Sequence, residues 1–229
     1  VLSAPGKGPN SWIFPGDLEG CPGRGNHAVG GVMRFRSLVV FVLLAVSLSA
    51  CSAALVPLSF DPKTKLGQAY QLMYEFERPL PAERLIQEAY DIYQDRQDEK
   101  GMAQASLLYG YFFLAPAVSK WSHVYSKAGF NDGTQYPDRF RRSAEYYQRS
   151  ADLFSKIGEF DSATNAQLLM GFSYIRARDL AKACSSYEQS LESYRKNMAA
   201  NPGTKVTLPD GFSSYEDVIR DAKTRAECA

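Results

Sequence analysis

Apolar positions recur at helical spacing from residue 61 onward, and the breaks between them predict a series of helices. Ala82, Leu85, Ile86, Ala89, Ile92 and Tyr93 fall at the i, i+3, i+4, i+7 positions of one helix face. Asp61-Pro62 supplies a cap and a first-turn proline for an earlier helix that runs to about Glu77. Arg78-Pro79-Leu80-Pro81 interrupts it, and Pro81 begins the second helix. Asp98 to Gly101 reads as a polar turn, and a third helix follows from about Met102 to Leu114. Later helices are predicted over Arg141 to Lys156, Ser162 to Arg176 and Asp179 to Ala199, with Gly158 and Asn201-Pro202-Gly203 as stops. Ser213 with Glu216 resembles a capping box for a last helix to about Ala226. The stretch from Ala115 to Phe140 is irregular, and only Lys205 to Leu208 reads as a strand, so the class is all-α.

One apolar stretch has no such period. Leu38 to Val46 is continuous, follows Arg34 and Arg36 just after Met33, and leads into Leu48-Ser49-Ala50-Cys51. It is too short to span a membrane, which takes about 20 apolar residues. A basic start, a short apolar core and small residues before a cut site read as a secretory signal peptide over residues 33–50. Leu-Ser-Ala-Cys resembles the lipobox of bacterial lipoproteins. That resemblance implies that Cys51 is lipidated and becomes the first mature residue. Ser52 is not the aspartate that retains such proteins at the inner membrane, so the resemblance points to the outer membrane, with the domain facing the periplasm. Residues 51–60 form a linker that reaches at most roughly 30 Å. Residues 1–32 are rich in Gly and Pro, show no period and precede Met33; they are expected to be a disordered or non-native extension outside the fold.

A chain from Cys51 has 229 − 50 = 179 residues, enough for one domain over residues 61–229. Removing Lys7, Arg24, Arg34 and Arg36, and Asp17 and Glu19, leaves 22 basic against 23 acidic residues. A charge near zero gives no drive toward nucleic acid or anionic lipid. An exported domain allows a disulfide between Cys184 and Cys228, the alternative being a small buried Cys184 and an exposed Cys228.

The helices repeat. Ala82-Ile86-Ala89-Tyr93, Ser143-Tyr147-Ser150-Phe154 and Ala183-Tyr187-Ser190-Tyr194 each place small, large, small, large at offsets 0, 4, 7 and 11. Tyr109-Gly110 with Phe113 parallels Met170-Gly171 with Tyr174. Gly171 stands 12 residues before Ala183, whereas Gly110 stands 33 before Ser143, so about 21 residues are inserted there. The pattern resembles the tetratricopeptide repeat over roughly Lys65 to Lys196. It departs from it in lacking the early Trp, in replacing Ala by Ser at Ser143, Ser150 and Ser190, and in lacking the proline after the clearest repeat. The resemblance implies a short solenoid of about three helix pairs with a C-terminal capping helix. It also implies a groove lined by the first helices: Gln104, Leu107, Tyr111 and Leu114, then Asn165, Leu168, Phe172 and Arg176. In such grooves an Asn holds the backbone of an extended peptide, and Arg176 has the fork geometry to take a carboxylate. The alternative is that the apolar members pack against the C-terminal helix.

Catalytic constellations are missing from the pattern. His123 is the one histidine after the lipobox and cannot build a metal site alone. Ser193 to Lys196 has Ser-x-x-Lys spacing without its companion motifs, and Asn131-Asp132-Gly133 lacks the acidic positions of a calcium loop and reads as a turn. No cofactor or metal is expected. Trp121, His123 and Tyr125 in the insertion are a second candidate interaction site, or else belong to an extended third helix whose aromatics bury on the fourth helix, Arg141 to Lys156. The expectation is a non-enzymatic scaffold that binds protein partners in an envelope assembly such as a pilus, secretion or wall-synthesis complex. The rivals are a cell-wall enzyme or its accessory cofactor, and a small-ligand-binding lipoprotein with a Tyr-rich pocket.

Overall fold

Aspartate and proline set the helix starts. Asp61 caps α1 (Pro62–Tyr74) by accepting the Thr64 amide at 2.8 Å. α2 (Pro79–Asp95) begins at Pro79, two residues before the expected Pro81. α1 stops at Tyr74 instead of Glu77, because Glu77 turns into the left-handed region (φ 53°) and the Arg78 amide closes on the Leu72 carbonyl at 2.7 Å. Asp98 caps α3 (Glu99–Leu114) through the Gly101 amide at 2.9 Å, so the expected polar turn is the first turn of a helix. Pro116 ends α3, and the expected irregular stretch folds as α4 (Pro116–Lys120), α5 (Ser122–Ala128) and a 3-10 turn at Tyr136–Asp138. α6 (Arg139–Lys156), α7 (Phe160–Arg176) and α8 (Leu180–Ala200) follow the predicted order. The last helix, α9 (Tyr215–Arg225), is capped by Ser214, not Ser213: Ser214 is extended and accepts the Asp217 amide at 3.1 Å, while Ser213 binds the Asp217 carboxylate at 2.8 Å.

This computed structural model describes residues 59–203, 208 and 210–228, which lie within one compact unit, Leu55–Ala229. The extension 1–32, the signal 33–50, Cys51, most of the linker and all but the last residue of the strand expected at Lys205 to Leu208 lie outside the described residues. Among the described residues every regular element is helical, and no helix is long and apolar enough to cross a membrane.

The helices form three antiparallel pairs, α1 with α2, α3 with α6 and α7 with α8, and α9 packs on α8 as a cap. The insertion does not break the second pair. α3 and α6 still meet because the chain supplies a glycine on one and a tyrosine on the other. A Cβ at Gly110 would lie 2.5 Å from the Tyr147 ring, and one at Gly171 would lie 2.3 Å from the Tyr187 ring. The small positions of the repeat are closed to water: Ala82, Ala89, Ser143, Ser150, Ala183 and Ser190 are all 0% exposed.

The serine departures have a physical reason. Each buried hydroxyl donates to a carbonyl of the paired first helix: Ser143 to Gly110 at 2.8 Å, Ser150 to Ala103 at 2.9 Å and Ser190 to Thr164 at 2.7 Å. A serine therefore allows the close approach of an alanine and adds a bond the alanine lacks. At the far end, Cys184 on α8 and Cys228 after α9 form a disulfide across 44 residues, with Cα atoms 5.7 Å apart. In a chain-entropy picture, closing a loop of that length stabilises by about 4 kcal/mol.

The close crossings carry a direct test. Gly110→Ala should lose about 1–3 kcal/mol of stability in urea titration, because the Tyr147 ring is fully buried and cannot yield. Gly67→Ala on α1 is the control, since nothing lies within 4 Å of an added Cβ. It should gain up to about 1 kcal/mol from helix propensity. Equal effects at the two sites would contradict the glycine–tyrosine crossing.

Candidate functional site

The first helices bring a row of polar aromatics together. Tyr70 and Tyr74 stand one turn apart on α1, with ring centroids 4.8 Å apart. Tyr111 on α3 lies close enough to Tyr70, Tyr74 and the Asn165 side chain on α7 to interact with them electrostatically. Burial is the main cause that raises the Tyr111 hydroxyl to about 12, partly offset by the nearby Asn165 amide. The Tyr111 ring stands edge-on to Tyr147 at 5.5 Å, which fixes its direction from below. The row thus runs Tyr70, Tyr74, Tyr111, Asn165 across α1, α3 and α7.

The other expected groove residues divide. Phe172 is 40% exposed, with its ring edge-on to Tyr187 at 5.7 Å. Arg176 lies over the Phe140 ring at 4.5 Å, opposite Arg139 on the same ring at 4.0 Å. Burial lowers the Arg139 guanidinium, and the Arg176 charge lowers it further. Among the described residues no carboxylate lies within ion-pair distance of Arg176. Gln104 and Leu114 are half-buried, Leu114 against the middle core. Leu107 is a correction: it is 8% exposed and belongs to the core with Tyr147 and Met170, because α3 is enclosed on several sides by its neighbours. Leu168 packs toward the C-terminal cluster around Tyr187 and Tyr215, as the alternative reading had it. Reading the sequence missed Tyr70, Tyr74, Arg139 and Phe140. The i, i+4 tyrosines on α1 were a visible signal; the Phe140 stack joins distant segments and was not.

The insertion sends several of its aromatics into the core. Tyr125, expected as a surface candidate, is 1% exposed and meets Phe130 at 4.4 Å and Phe112 at 6.2 Å. Trp121 is half-buried against the same cluster, and only His123 is exposed, stacked on Trp121 at 6.4 Å. The aromatics bury on α3 itself and not as an extension of it, since Pro116 has already turned the chain. Asn131-Asp132-Gly133 is a turn. The Thr134 amide donates to Asp132 at 2.9 Å, and the other Asp132 oxygen receives Arg142 at 2.7 Å and Tyr146 at 3.1 Å. The Ser-x-x-Lys pattern is not assembled: Ser193 is 5% exposed while Lys196 pairs with Glu192 at 2.7 Å. Among the described residues no acidic, histidine and cysteine cluster could hold a metal ion.

Glu83 pins the insertion to α2. It is 0% exposed and accepts the Tyr109 hydroxyl at 2.9 Å and the Asn131 amide at 2.8 Å. Its other oxygen has no hydrogen-bond partner. Burial raises this carboxyl to about 7, against the pull of the Asn131 and Tyr109 bonds.

Comparison of the chain with protein-family models, with curated proteins and with solved structures finds no match.

The Glu83 carboxyl makes stability depend on pH in a defined sense. A folded value near 7 lies above the ordinary 4.5, so the native state holds a proton that the unfolded chain has released. Its contribution is whole below about 4.5 and is lost as pH rises through about 7. Chemical denaturation should show stability falling by on the order of 3 kcal/mol over that range. Glu83→Gln should flatten the fall, and an unchanged slope in that variant would assign it to other groups.

Proposed function

We propose that this chain is a lipid-anchored scaffold of the bacterial envelope that holds a protein partner on its first-helix face. The observation that carries this reading is the row Tyr70, Tyr74, Tyr111 and Asn165, continued by the exposed Phe172. Large rings held by packing lose little entropy when a partner covers them, which suits them as anchors. Asn165 sits in the row with an amide able to meet a peptide backbone, and Arg176 beyond it is a cation free to take an acidic group. The lipobox at Cys51 supports a tether at the outer membrane with the domain in the periplasm. The scaffold contributes position and partner choice, and assembly at the membrane follows from the tether through effective concentration.

The test is an in-cell crosslink and pull-down with the protein started at Met33, beside an Asn165→Ala, Phe172→Ala variant whose melting is checked first. One dominant protein partner is expected, weakened about tenfold or more in the variant. A partner kept at full strength would remove the first-helix face from consideration, and no partner at all would end the scaffold reading. The tether has its own readout: palmitate labelling of the cells should mark the protein and should vanish in Cys51→Ser, with the precursor left uncleaved. Labelling that persists in Cys51→Ser would move the anchor elsewhere.

A further inference from the structure

A crevice of about 290 Å³ opens between α2 and α6, with α3 as its floor. Its size is at the small end of ligand sites and suits one small molecule. Three of its polar groups lack the partners that the rest of the fold supplies. Ser106 on the floor is 1% exposed, and its hydroxyl makes no hydrogen bond. The contrast is with Ser143, Ser150 and Ser190, whose buried hydroxyls all reach a carbonyl. Arg149 on the α6 wall lies 5.8 Å from the Tyr90 ring and 5.3 Å from the Tyr146 ring. Among the described residues it has no carboxylate within ion-pair distance. Asp91 faces it from α2, exposed and likewise without an ion pair among the described residues.

The crevice runs on into a shallower groove that shares Tyr90 and Arg149. The acids there are engaged: Glu145 takes Arg142 at 2.7 Å, and Asp152 takes the Gln148 amide at 2.8 Å. What remains is one cation on the α6 wall and one anion on the α2 wall, with no ion pair between them among the described residues, over an apolar lining that includes Ile86. Such a pair is complementary to a small zwitterion.

We propose that this crevice binds a free α-amino acid with a polar side chain. The ligand carboxylate meets Arg149 by charge-assisted hydrogen bonds, and its ammonium meets Asp91. Its side chain passes between Ile86 and the Tyr90 ring and ends on the Ser106 hydroxyl, which gains the partner it lacks. The site involves α2, α3 and α6 and does not rest on the partner proposed for the first-helix face. Loss of either leaves the other standing.

The experiment is calorimetric titration of the full chain with the common L-amino acids, one at a time. Saturable one-to-one binding of a polar amino acid is expected. Ser106→Ala, Asp91→Asn and Arg149→Gln should each weaken it about tenfold or more. Ser106→Ala should leave the melting temperature of the unliganded protein unchanged, which separates lost binding from lost fold. Ligand analogues read the same charges with the protein untouched. The methyl ester and the des-amino acid of the tightest binder should each bind about tenfold or more weakly. Absence of saturable binding overturns the proposal. So does an analogue or a variant that binds as tightly as the parent pair.

Discussion

Everything in this fold depends on how closely two helices of a pair approach. At Gly110 and Gly171 the first helix offers bare backbone, and the space is filled by the rings of Tyr147 and Tyr187. Both rings are 0% exposed. That contact sets the distance at which the neighbouring small positions must also fit, so Ser143 and Ser190 are close enough to donate to carbonyls across the pair. The arrangement has a cost. The hydroxyls of Tyr147 and Tyr187 are buried without a partner, and burial raises both above their ordinary range. The rings are retained for the area they bury and the shape they fill, while the serines restore hydrogen bonding to the same interface.

The inserted segment follows from the same constraint. Because α3 must meet α6 across some twenty intervening residues, those residues have to close on themselves against α3 and α2 (roughly a loop's worth of entropy is lost in doing so). A stack of rings offsets this: Phe113 meets Phe130 at 4.8 Å and Tyr146 at 5.7 Å, and Tyr125 closes over Phe130. Glu83 is an acid buried beside that layer, and its burial favours the protonated form. A neutral carboxyl can satisfy the Asn131 amide and the Tyr109 hydroxyl without stranding a charge among apolar rings.

Charge then distinguishes the surfaces. Many exposed cations have an acid beside them, as Lys100 has Glu159 at 2.5 Å and Lys196 has Glu192 at 2.7 Å. Exposed pairs of this kind contribute little to stability. Among the described residues Arg176, Arg149 and Asp91 are some of the charged groups that have no ion pair. Arg176 lies at the end of the first-helix face, and the other two lie across the α2–α6 crevice. The two proposed sites thus share only α3, one of them suited to an extended partner and the other to a small zwitterion.

The all-α class and the order of the main helices were determined by the sequence itself, and its resemblance to the tetratricopeptide repeat implied three pairs with a terminal cap. The class and the helix order rest on period and on local caps such as Asp61, and both act within a few residues. The glycine and tyrosine positions of the crossings were also legible, since their spacing recurs. Tertiary structure alone decided the rest. Leu107 reads along the chain as lining a groove, and it is buried because α6 and α7, far away in sequence, cover it; the burial of Tyr125 was an open alternative that its packing against Phe130 and Phe112 decided. The Cys184–Cys228 bond was open until the docking of α9 on α8 brought the two within reach. Ser106, Asp91 and Arg149 carry no motif, and nothing in their spacing predicts that they share a crevice. Their relation is one of distance through space, and it exists only once α2 and α6 have both settled on α3.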